Sequence, residues 1–300
     1  MAPTHAAFPG TNGRIAYTKF ENGPDIWTIN PDGSDPKNLT DTKGTDQEPD
    51  WNATGTKIVF SSNRGGSFDL YVMNADGSGV TQLTSTADED ERTPAWSPDG
   101  TKIVYALEDD TGSRIFRIDA DGTGAVGLTD AGGDDDRPEY SPDGTKIAFT
   151  RDDDVPDVWV MNADGSNETN LTNNPEGSYG PDWSPDGTRI AYSTNQDKQS
   201  GIGIRNADGS NPVFLAGTFS SYNPYWSPDG SKLGSYSDYN GMDNLVTYDA
   251  DGTNRTVLQT GTGLLGDWQP IPIQPGPSTA PTTIQAPAAS PAVVTPAFTG

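Results

Sequence analysis

One short motif recurs along this chain at nearly constant spacing, and this repeat constrains the fold more than any other feature. Its clearest copy begins at Trp96 and reads Trp-Ser-Pro-Asp-Gly-Thr-Lys-Ile. Related copies begin at Trp51, Tyr140, Trp183 and Trp226. Successive aromatic residues therefore lie 45, 44, 43 and 43 residues apart. The chain is a repeat array.

Two further marks keep the same spacing. Each unit contains an Asp-Gly pair, at Asp32-Gly33, Asp76-Gly77, Asp121-Gly122, Asp164-Gly165, Asp208-Gly209 and Asp251-Gly252. A leucine follows each pair, at Leu39, Leu83, Leu128, Leu171, Leu215 and Leu258. The marks define six units, and a period of this length that carries several short strands is typical of a β-propeller.

The unit that contains Trp96 divides into four short strands, labelled A to D. Strand A ends at Trp96, and residues 97–100 supply turn chemistry, because proline presets φ and glycine adopts a positive φ. Strands B, C and D are predicted at 102–105, at 115–118 and around Val126. We expect a four-stranded antiparallel meander with strand A innermost, and the adjacent apolar residues of B and C predict that neighbouring blades bury both sheet faces.

The two ends of the array complement each other. The first unit supplies strand B from Arg14 onward, but no strand A precedes it in the sequence. Trp268 lies 42 residues after Trp226 and reproduces the strand A pattern without B, C or D strands after it. We therefore predict an all-β, six-bladed β-propeller of four-stranded antiparallel blades over residues 1–270. Its C-terminal strand completes the first blade, which removes the open sheet edges.

Two local features qualify this prediction. Gly234 interrupts strand B of the sixth unit, which predicts either local looseness or a close backbone approach there. Residues 271–300 contain no charged residue and are rich in Pro, Ala and Thr, so we expect a flexible tail.

Composition narrows the range of partners. The net charge of −25 predicts a surface that repels nucleic acid and anionic lipid. No apolar run approaches the length of a membrane span, so we expect no membrane insertion. The oligomeric state stays open at this stage.

The motif and its two companion marks resemble the PD40 or TolB-type repeat, a WD40-like β-propeller family, over residues 14–268. The resemblance implies a binding role outside the cytoplasm, because this repeat occurs in secreted and periplasmic binding proteins. The same repeat also forms the substrate-gating propellers of peptidases. The chain differs from TolB in lacking a separate N-terminal domain, which argues against a role in a Tol system. Residues 4–7 fit the end of a cleaved secretion signal as well as an ordinary N-terminus. We expect an extracytoplasmic protein, either periplasmic, secreted or on the cell surface.

The residue inventory argues against an enzyme. His5 is the sole histidine, cysteine is absent, and no Gly-x-Ser-x-Gly motif occurs, so the common nucleophile and His-ligated metal centres lack their residues. We therefore expect a non-catalytic module that binds a protein or peptide. Two alternatives stay open: a structural surface or appendage component, and a carboxylate- or metal-dependent hydrolase or lyase.

Calcium is the one cofactor that the sequence suggests, since hard cations need several oxygen ligands. The candidate ligands are Asp134, Asp135, Asp136, Asp152, Asp153 and Asp154. The Asp-x-Asp-Gly segments that recur in the units lack the spaced ligands of a calcium loop, and we interpret them as turns.

The loops that precede each strand A predict the binding site. In a four-stranded meander the A–B and C–D turns share one face, and here that face is monotonous. The other face, at the channel mouth, differs from blade to blade, so we place a partner site there. The charged and polar candidates are Asp46, Glu48, Glu91, Arg92, Asp135, Arg137 and Asn223, and the aromatic ones are Tyr179 and Tyr222, beside Leu264 and Leu265. We expect the tyrosines to hold an apolar part of the ligand and the carboxylates a polar or cationic part.

Overall fold

The structure, a computed structural model, describes residues 9–20, 23–130, 133–239 and 241–272. Within them, 24 strands form six separate four-stranded antiparallel sheets. The prediction of an all-β, six-bladed β-propeller is confirmed. The strands of each blade follow the meander order with strand A innermost, and in blade 1 the last strand of the array takes the place of strand A.

The strand bounds are as follows. Blade 1 contains β1 (Thr11–Lys19), β2 (Asp25–Ile29) and β3 (Lys37–Asn38). Blade 2 contains β4 (Asp46–Trp51), β5 (Lys57–Ser62), β6 (Asp69–Asn74) and β7 (Thr81–Gln82). Blade 3 contains β8 (Asp90–Trp96), β9 (Lys102–Asp109), β10 (Gly112–Asp119) and β11 (Val126–Gly127). Blade 4 contains β12 (Asp134–Tyr140), β13 (Lys146–Asp152), β14 (Pro156–Asn162) and β15 (Thr169–Asn170). Blade 5 contains β16 (Ser178–Trp183), β17 (Arg189–Gln196), β18 (Gln199–Asn206) and β19 (Val213–Phe214). Blade 6 contains β20 (Ser221–Trp226), β21 (Lys232–Tyr239), β22 (Met242–Asp249) and β23 (Thr256–Thr260). The last strand, β24 (Thr262–Ile271), returns to blade 1 as its innermost strand.

This last strand closes the ring. β24 pairs antiparallel with β1, with Trp268 opposite Ile15 and Asp267 opposite Ala16. The Trp268 indole is buried, and its Nε1 donates a hydrogen bond to the Gly13 carbonyl oxygen at 3.2 Å. The predicted completion of the first blade by the C-terminal strand is confirmed, and the inner edge of β1 is paired with β24.

The repeated aromatic residues hold neighbouring blades together. Six apolar clusters among the described residues join successive blades, and each contains one aromatic residue of the repeat. Between blades 1 and 2, for example, Ala16 and Ile26 pack with Trp51. Between blades 6 and 1, Tyr225 packs with Trp268. Because each blade needs both neighbours to bury its two faces, the ring is one cooperative body.

Close packing of the turns explains why the Asp-Gly pair and the leucine keep one spacing. Gly122 has a φ of +85°, and a Cβ atom there would lie 2.6 Å from the carbonyl oxygen of Leu83 in the preceding blade. Asp121 closes the turn, because its Oδ1 accepts hydrogen bonds from the Thr123 backbone nitrogen at 3.0 Å and from its hydroxyl at 2.7 Å. The interpretation of these segments as turns is confirmed.

Gly234 marks a second close approach. A Cβ atom at this position would lie 2.1 Å from Cε2 of Tyr225, so the tyrosine ring covers the bare backbone of β21. Of the two sequence-based alternatives, the close approach is found, although the approaching group is a side chain. The tyrosine ring fills the space that a side chain at position 234 would need.

No helix among the described residues is long and apolar enough to cross a membrane. Two sequence features lie outside the described residues: His5, and the predicted tail, residues 271–300, except for Ile271, which ends β24, and residue 272.

Candidate functional site

The propeller has two unlike faces. On the turn face, the Ser-Pro-Asp-Gly turns of blades 4 to 6 surround a cavity of about 920 Å³ with Pro142, Pro185 and Pro228 on its wall. On the opposite face, the mouth face, the B–C and D–A loops surround a cavity of about 590 Å³. This division into a turn face and a mouth face agrees with the sequence-based expectation.

A bulge in each inner strand shapes the channel below the mouth. In β4, β8, β12, β16 and β20 the pairing with the second strand shifts register just before the repeat aromatic residue. A residue with φ between +47° and +61° precedes a proline at each bulge, and proline cannot donate to the sheet ladder. We call these five residues the mouth ring: Glu48, Thr93, Arg137, Gly180 and Asn223.

Side chains of blades 2 to 4 link into one polar network at the mouth. Glu48 Oε2 accepts a hydrogen bond from the Thr93 backbone nitrogen at 2.8 Å, and Glu48 Oε1 pairs with Arg92 Nη2 at 3.3 Å. The Thr93 hydroxyl donates to Asp136 Oδ1 at 2.9 Å. A positive φ is strained for a β-branched residue, and these two hydrogen bonds hold Thr93 in that conformation. The network fixes the register of three blades around the opening.

Aromatic rings flank this network. The Arg92 guanidinium lies 4.2 Å from the centre of the Phe68 ring, and the Arg137 guanidinium lies 5.8 Å from that of Tyr179. Tyr222 packs against Tyr236 with 6.0 Å between ring centres. The mouth therefore combines charged groups with aromatic surface, as partner sites often do.

The structure brings some of the predicted site residues together. Glu48, Arg92, Arg137 and Tyr179 line the same mouth cavity. Asn223 belongs to the mouth ring, although its side chain is buried, and Tyr222 lies half-buried in the same strand. The side chains of Leu264 and Leu265 lie outside the described residues.

Three predicted carboxylates are placed elsewhere. Asp46, Glu91 and Asp135 are buried to at least 99%. Asp46 pairs with Arg64 at 2.8 Å, and Asp135 receives Nε and Nη2 of Arg151 at 2.6 and 2.9 Å. We correct the expectation that these groups face a ligand: Asp46 and Asp135 bind arginines of their own blades, and Glu91 binds threonines of the loop before its strand.

Glu91 is the third of these buried carboxylates. It accepts hydrogen bonds from the hydroxyls of Thr84 and Thr86 at 3.2 and 2.9 Å. Burial raises the pKa of Glu91 to about 7. The bulge between Arg92 and Ala95 interrupts the alternation of side chains along β8, so the side on which Glu91 lies does not follow from counting back from Trp96.

The candidate calcium ligands divide in the same way. Asp135 is occupied by Arg151, and Asp136 accepts the Thr93 hydroxyl. The remaining candidates line a shallow pocket beside Thr111: Asp134, Asp152, Asp153 and Asp154. Among the described residues, no group of three or more acidic or histidine side chains is arranged to hold a metal ion. Calcium binding stays a prediction.

A second ring of side chains, which sequence reasoning missed, lies deeper in the channel. It consists of the residues directly before each repeat aromatic residue, and we call it the lumen ring: Asp50, Ala95, Glu139, Asp182, Tyr225 and Asp267. These residues line a cavity of about 110 Å³ that shares the lining residues Glu48, Thr93 and Arg137 with the mouth cavity.

The lumen carboxyls carry shifted proton affinities. Burial, followed by the charges of Asp182 and Asp267, raises the pKa of Glu139 well above its usual value. Burial raises the pKa of Asp267 to about 6, although the backbone nitrogens of Trp51 and Trp268 oppose this shift. Burial and the neighbouring Asp267 also raise the pKa of Asp50. The channel therefore concentrates acidic groups that prefer to keep a proton or to meet a cation.

Three of these carboxyls also join blades. In each case the donor is the backbone nitrogen of the repeat aromatic residue in the next blade: Trp96 donates to Asp50 at 2.7 Å, Trp226 to Asp182 at 2.5 Å and Trp51 to Asp267 at 2.7 Å. The sequence does show an acidic residue directly before the repeat aromatic residue in four of the six units. Recognising these residues as a site required knowing which face of the inner strand lines the channel.

Comparisons with known proteins agree with this fold. The model of the TolB beta propeller domain (PD40) matches residues 85–270, which is more than half of the chain. The chain is also similar to the crystal structure of TolB from Acinetobacter baumannii, with a TM-score of 0.77 and 22% identity over 88% of this chain and 69% of that one.

Two curated relatives match over shorter stretches. A TolB homologue of Chlorobium luteolum is 34% identical over 73 residues, covering 24% of this chain and 16% of the relative. Dipeptidyl-peptidase 5 of Porphyromonas gingivalis is 46% identical over 46 residues, covering 15% of this chain and 7% of the relative. The chain thus aligns with only a small part of either relative.

Proposed function

Because the chain belongs to the TolB beta propeller family, we propose that it is a non-catalytic module that binds a protein or peptide at the mouth face. The family and the propeller fold support an interaction role. The observation that carries the position of the site is the mouth cavity of about 590 Å³, which combines Arg92, Arg137 and Glu48 with the Tyr179 ring.

The contrast between the faces supports this choice. The turn face repeats one turn sequence in several blades, and its aspartates already accept hydrogen bonds within their own turns. The mouth face differs in sequence from blade to blade, and its groups meet across blades. A specific partner requires such individual groups in one place.

We also propose that the module works outside the cytoplasm, as the family resemblance implies for secreted and periplasmic binding proteins. Fractionation of the source cells with a cytoplasmic marker tests this location. The acidic surface makes nucleic acid an unsuitable partner.

The lumen carboxyls favour one alternative, a carboxylate-dependent hydrolase or lyase, because buried acids with raised pKa values can exchange protons with a substrate. Assay of the purified chain on glycosidic and peptide substrates between pH 5 and 8 separates the two functions. Turnover that disappears in Glu139→Gln would establish the alternative.

The partner site is tested with two double variants. Tyr179→Ala combined with Tyr222→Ala removes aromatic surface at the mouth, and Pro142→Ala combined with Pro185→Ala alters the cavity of the turn face. Each immobilised variant is exposed to extracts of the source cells, and captured proteins are quantified. We expect the mouth variant to capture at least about tenfold less of its specific partner than the wild type, because buried aromatic residues contribute about 2 kcal/mol or more at such sites.

The turn-face variant should keep its partner. Equal melting temperatures and circular dichroism spectra ensure that both variants are folded. If capture is lost only in the turn-face variant, the site lies on the other side of the propeller.

A further inference from the structure

Two buried carboxyls meet between blades 2 and 3 on the side of the mouth. Glu91 and Asp69 are exposed to only 1% and 3%. The Thr86 hydroxyl donates a hydrogen bond to Glu91 Oε1 at 2.9 Å, and the Thr86 backbone nitrogen donates one to Asp69 Oδ1 at 3.1 Å. The two carboxyls also lie within hydrogen-bonding reach of each other. Such a pair is most stable with one shared proton, because two negative charges repel each other away from water.

Blade 4 shows how an acid in this position is neutralised elsewhere in the ring. Asp135, like Glu91, lies five residues before the repeat aromatic residue of its blade. Arg151 lies opposite Asp135 in the ladder between β12 and β13, and its guanidinium binds both carboxylate oxygens at 2.6 and 2.9 Å. The residue that lies opposite Glu91 is Leu107. Glu91 therefore lacks the arginine that balances the charge of Asp135.

The junction between blades 1 and 2 contains a second acid pair, and an arginine compensates it. Asp25 begins β2 as Asp69 begins β6, and Asp46 lies five residues before its aromatic residue as Glu91 does. Burial and the charge of Asp46 raise the pKa of Asp25, so these two acids interact. Arg64 binds Asp46 Oδ1 at 2.8 Å. The Asp69–Glu91 pair has the same position between its blades without such an arginine.

The arginines around the Asp69–Glu91 pair bind other acids. Arg92 is the next residue of β8, and its Nη2 lies 3.3 Å from Glu48 Oε1. Arg114 lies opposite Leu107 on β10 and pairs with Asp109. Other titratable groups around the pair are acids and tyrosines: Tyr71, Glu89, Asp90 and Tyr105. The nearby guanidinium charges are engaged by these other acids and do not neutralise the pair.

The pair holds the loop that leads to the mouth. Glu91 Oε2 accepts a hydrogen bond at 3.2 Å from the hydroxyl of Thr84, which begins loop 84–90. The Glu91 backbone nitrogen donates to the Phe68 carbonyl oxygen at 2.7 Å, and the Arg92 guanidinium lies 4.2 Å from the centre of the Phe68 ring. Arg92 also lines the mouth cavity. A change at Glu91 therefore acts on the adjacent charged group of the proposed partner site.

We propose that the Asp69–Glu91 pair is a pH-sensitive switch of the mouth. While the pair holds a proton, its hydrogen bonds keep loop 84–90 and Arg92 in the closed arrangement described above. When the proton passes to solvent, the two carboxylates repel each other, the loop loosens, and the mouth binds its partner less tightly. This inference rests on the proposed function and adds its regulation by pH.

The direction of the pH effect follows from the proton affinity of Glu91. Burial, with a smaller contribution from the charge of Asp69, raises the pKa of Glu91 from 4.5 to about 7. The closed loop therefore binds more protons than an open loop between pH 4.5 and about pH 7. The stability that the protonated pair gives to the closed loop is fully present below pH 4.5 and is lost as the pH rises to about 7. Above that pH both states are ionised, and the effect levels off.

The experiment measures the protection of loop 84–90 from amide hydrogen exchange between pH 5 and pH 8 in the full chain. Exchange rates are divided by those of an unstructured chain at the same pH, so that protection reports the opening of the loop. Glu91→Gln keeps the shape of the side chain and an acceptor oxygen for the threonines, but it has no proton to lose. Asp88→Asn is the matched control, because Asp88 lies exposed in the same loop.

Loop 172–177, between blades 4 and 5, is an internal reference. The Asn174 backbone nitrogen donates to Asp157 Oδ1 at 2.8 Å, which is the same kind of bond as in the loop under test. Ser178 lies five residues before the aromatic residue of blade 5, in the place of Glu91. This loop has the hydrogen bond without the acid pair, so its protection should not change through the pair's titration.

In wild type, the protection of loop 84–90 should fall at least about tenfold between pH 5 and pH 7 and change little from pH 7 to pH 8. Asp88→Asn should behave like wild type, whereas Glu91→Gln should show no fall. Asp69→Asn is a second variant and should move the fall to lower pH, because Glu91 then lacks the neighbouring charge. An equal fall in wild type and Glu91→Gln, or in loops 84–90 and 172–177, would overturn the proposal.

Partner capture at pH 5.5 and pH 8 separates this inference from the proposed function. Wild type should lose more capture between these values than Glu91→Gln, a comparison that cancels any titration of the partner itself. If capture requires Tyr179 and Tyr222 but has the same pH dependence in wild type and Glu91→Gln, the proposed function stands and the switch fails. If the tyrosine variant captures its partner normally, the tyrosine site fails, whereas exchange in loop 84–90 needs no partner and still tests the switch.

Discussion

The turn face and the channel lumen use the same kind of residue in opposite ways. On the turn face, hydrogen bonds from the Thr123 hydroxyl and backbone hold the pKa of Asp121 below its usual value. In the lumen, burial and neighbouring acids raise the pKa of Glu139 well above its usual value. The acids of the turn face are stabilised as anions by their own turns, whereas those of the lumen are destabilised as anions by their surroundings.

This difference shows which of the acids are available for binding. A carboxylate that already accepts several hydrogen bonds within its own turn gains little from a ligand. A carboxyl that is crowded by other carboxyls gains much from a cation. The strongly acidic composition therefore says little by itself, and the position of each acid in the blade decides its role.

The largest expected effect concerns the closure on which the lumen depends. Deletion of residues 264–300 removes most of β24, with Asp267 and Trp268, and exposes the inner edge of β1 to solvent and to other chains. We expect a melting temperature at least about 10 °C lower, or aggregation. Deletion of residues 272–300 leaves β24 intact and should change the melting temperature little. Equal melting temperatures for the two truncated chains would show that β24 does not close the ring.

The next effect compares one acid from each region by chemical denaturation across pH. Asp99 on the turn face accepts hydrogen bonds at 2.7 to 2.9 Å from the Ser97 hydroxyl and from the backbone and hydroxyl of Thr101. Asp99→Ala should lower the free energy of unfolding by about 1 kcal/mol at pH 7, since the turn is partly exposed. Glu139→Gln should raise it by about 1 kcal/mol at pH 8, because a crowded charge disappears.

The two effects should also differ in their pH dependence. Burial raises the pKa of Asp99, but hydrogen bonds from Thr101 and Ser97 outweigh it and lower the pKa, so its stabilisation is present above pH 3.8 and is lost as the pH falls. The folded pKa of Glu139 is raised, so wild type loses stability as the pH rises from 4.5 through that raised value, whereas the glutamine variant does not. The gain from Glu139→Gln should therefore vanish near pH 4. A gain that is the same at pH 4 and pH 8 would contradict a raised pKa for Glu139.

The smallest expected effect is calcium binding by the acids beside Thr111. A divalent ion that binds only the folded chain stabilises it by about 0.4 kcal/mol when its concentration equals the dissociation constant. Millimolar calcium should raise the melting temperature slightly more than sodium chloride of equal ionic strength, and Asp153→Asn with Asp154→Asn should remove the difference. Asp121→Asn on the turn face is the matched control and should keep it. If sodium chloride has the same effect as calcium, only charge screening is involved.

Many of the residues that line the mouth could be predicted from the sequence, and the wrong placements have one cause, the bulge in the inner strand. The sequence placed Glu48, Arg92, Arg137 and Tyr179 at one opening, and the structure brings them to one cavity. It also placed Asp46 and Asp135 there, although both are buried against arginines. The bulge before the aromatic residue adds a residue to the strand, so counting back along the strand does not by itself show which side chains face the opening.

The sequence by itself determined the number of blades, their four strands and the closure by the last strand, because these follow from local turn chemistry and a repeat that must bury both faces of every sheet. Only the tertiary structure decided what the acidic residues do. The proton affinity of Glu139 depends on Asp182 and Asp267, which lie 43 and 128 residues away in the chain and meet it across the channel. A carboxyl's electrostatic surroundings are set by distance in space and by exclusion of water, and neither is encoded in the spacing of residues along one strand.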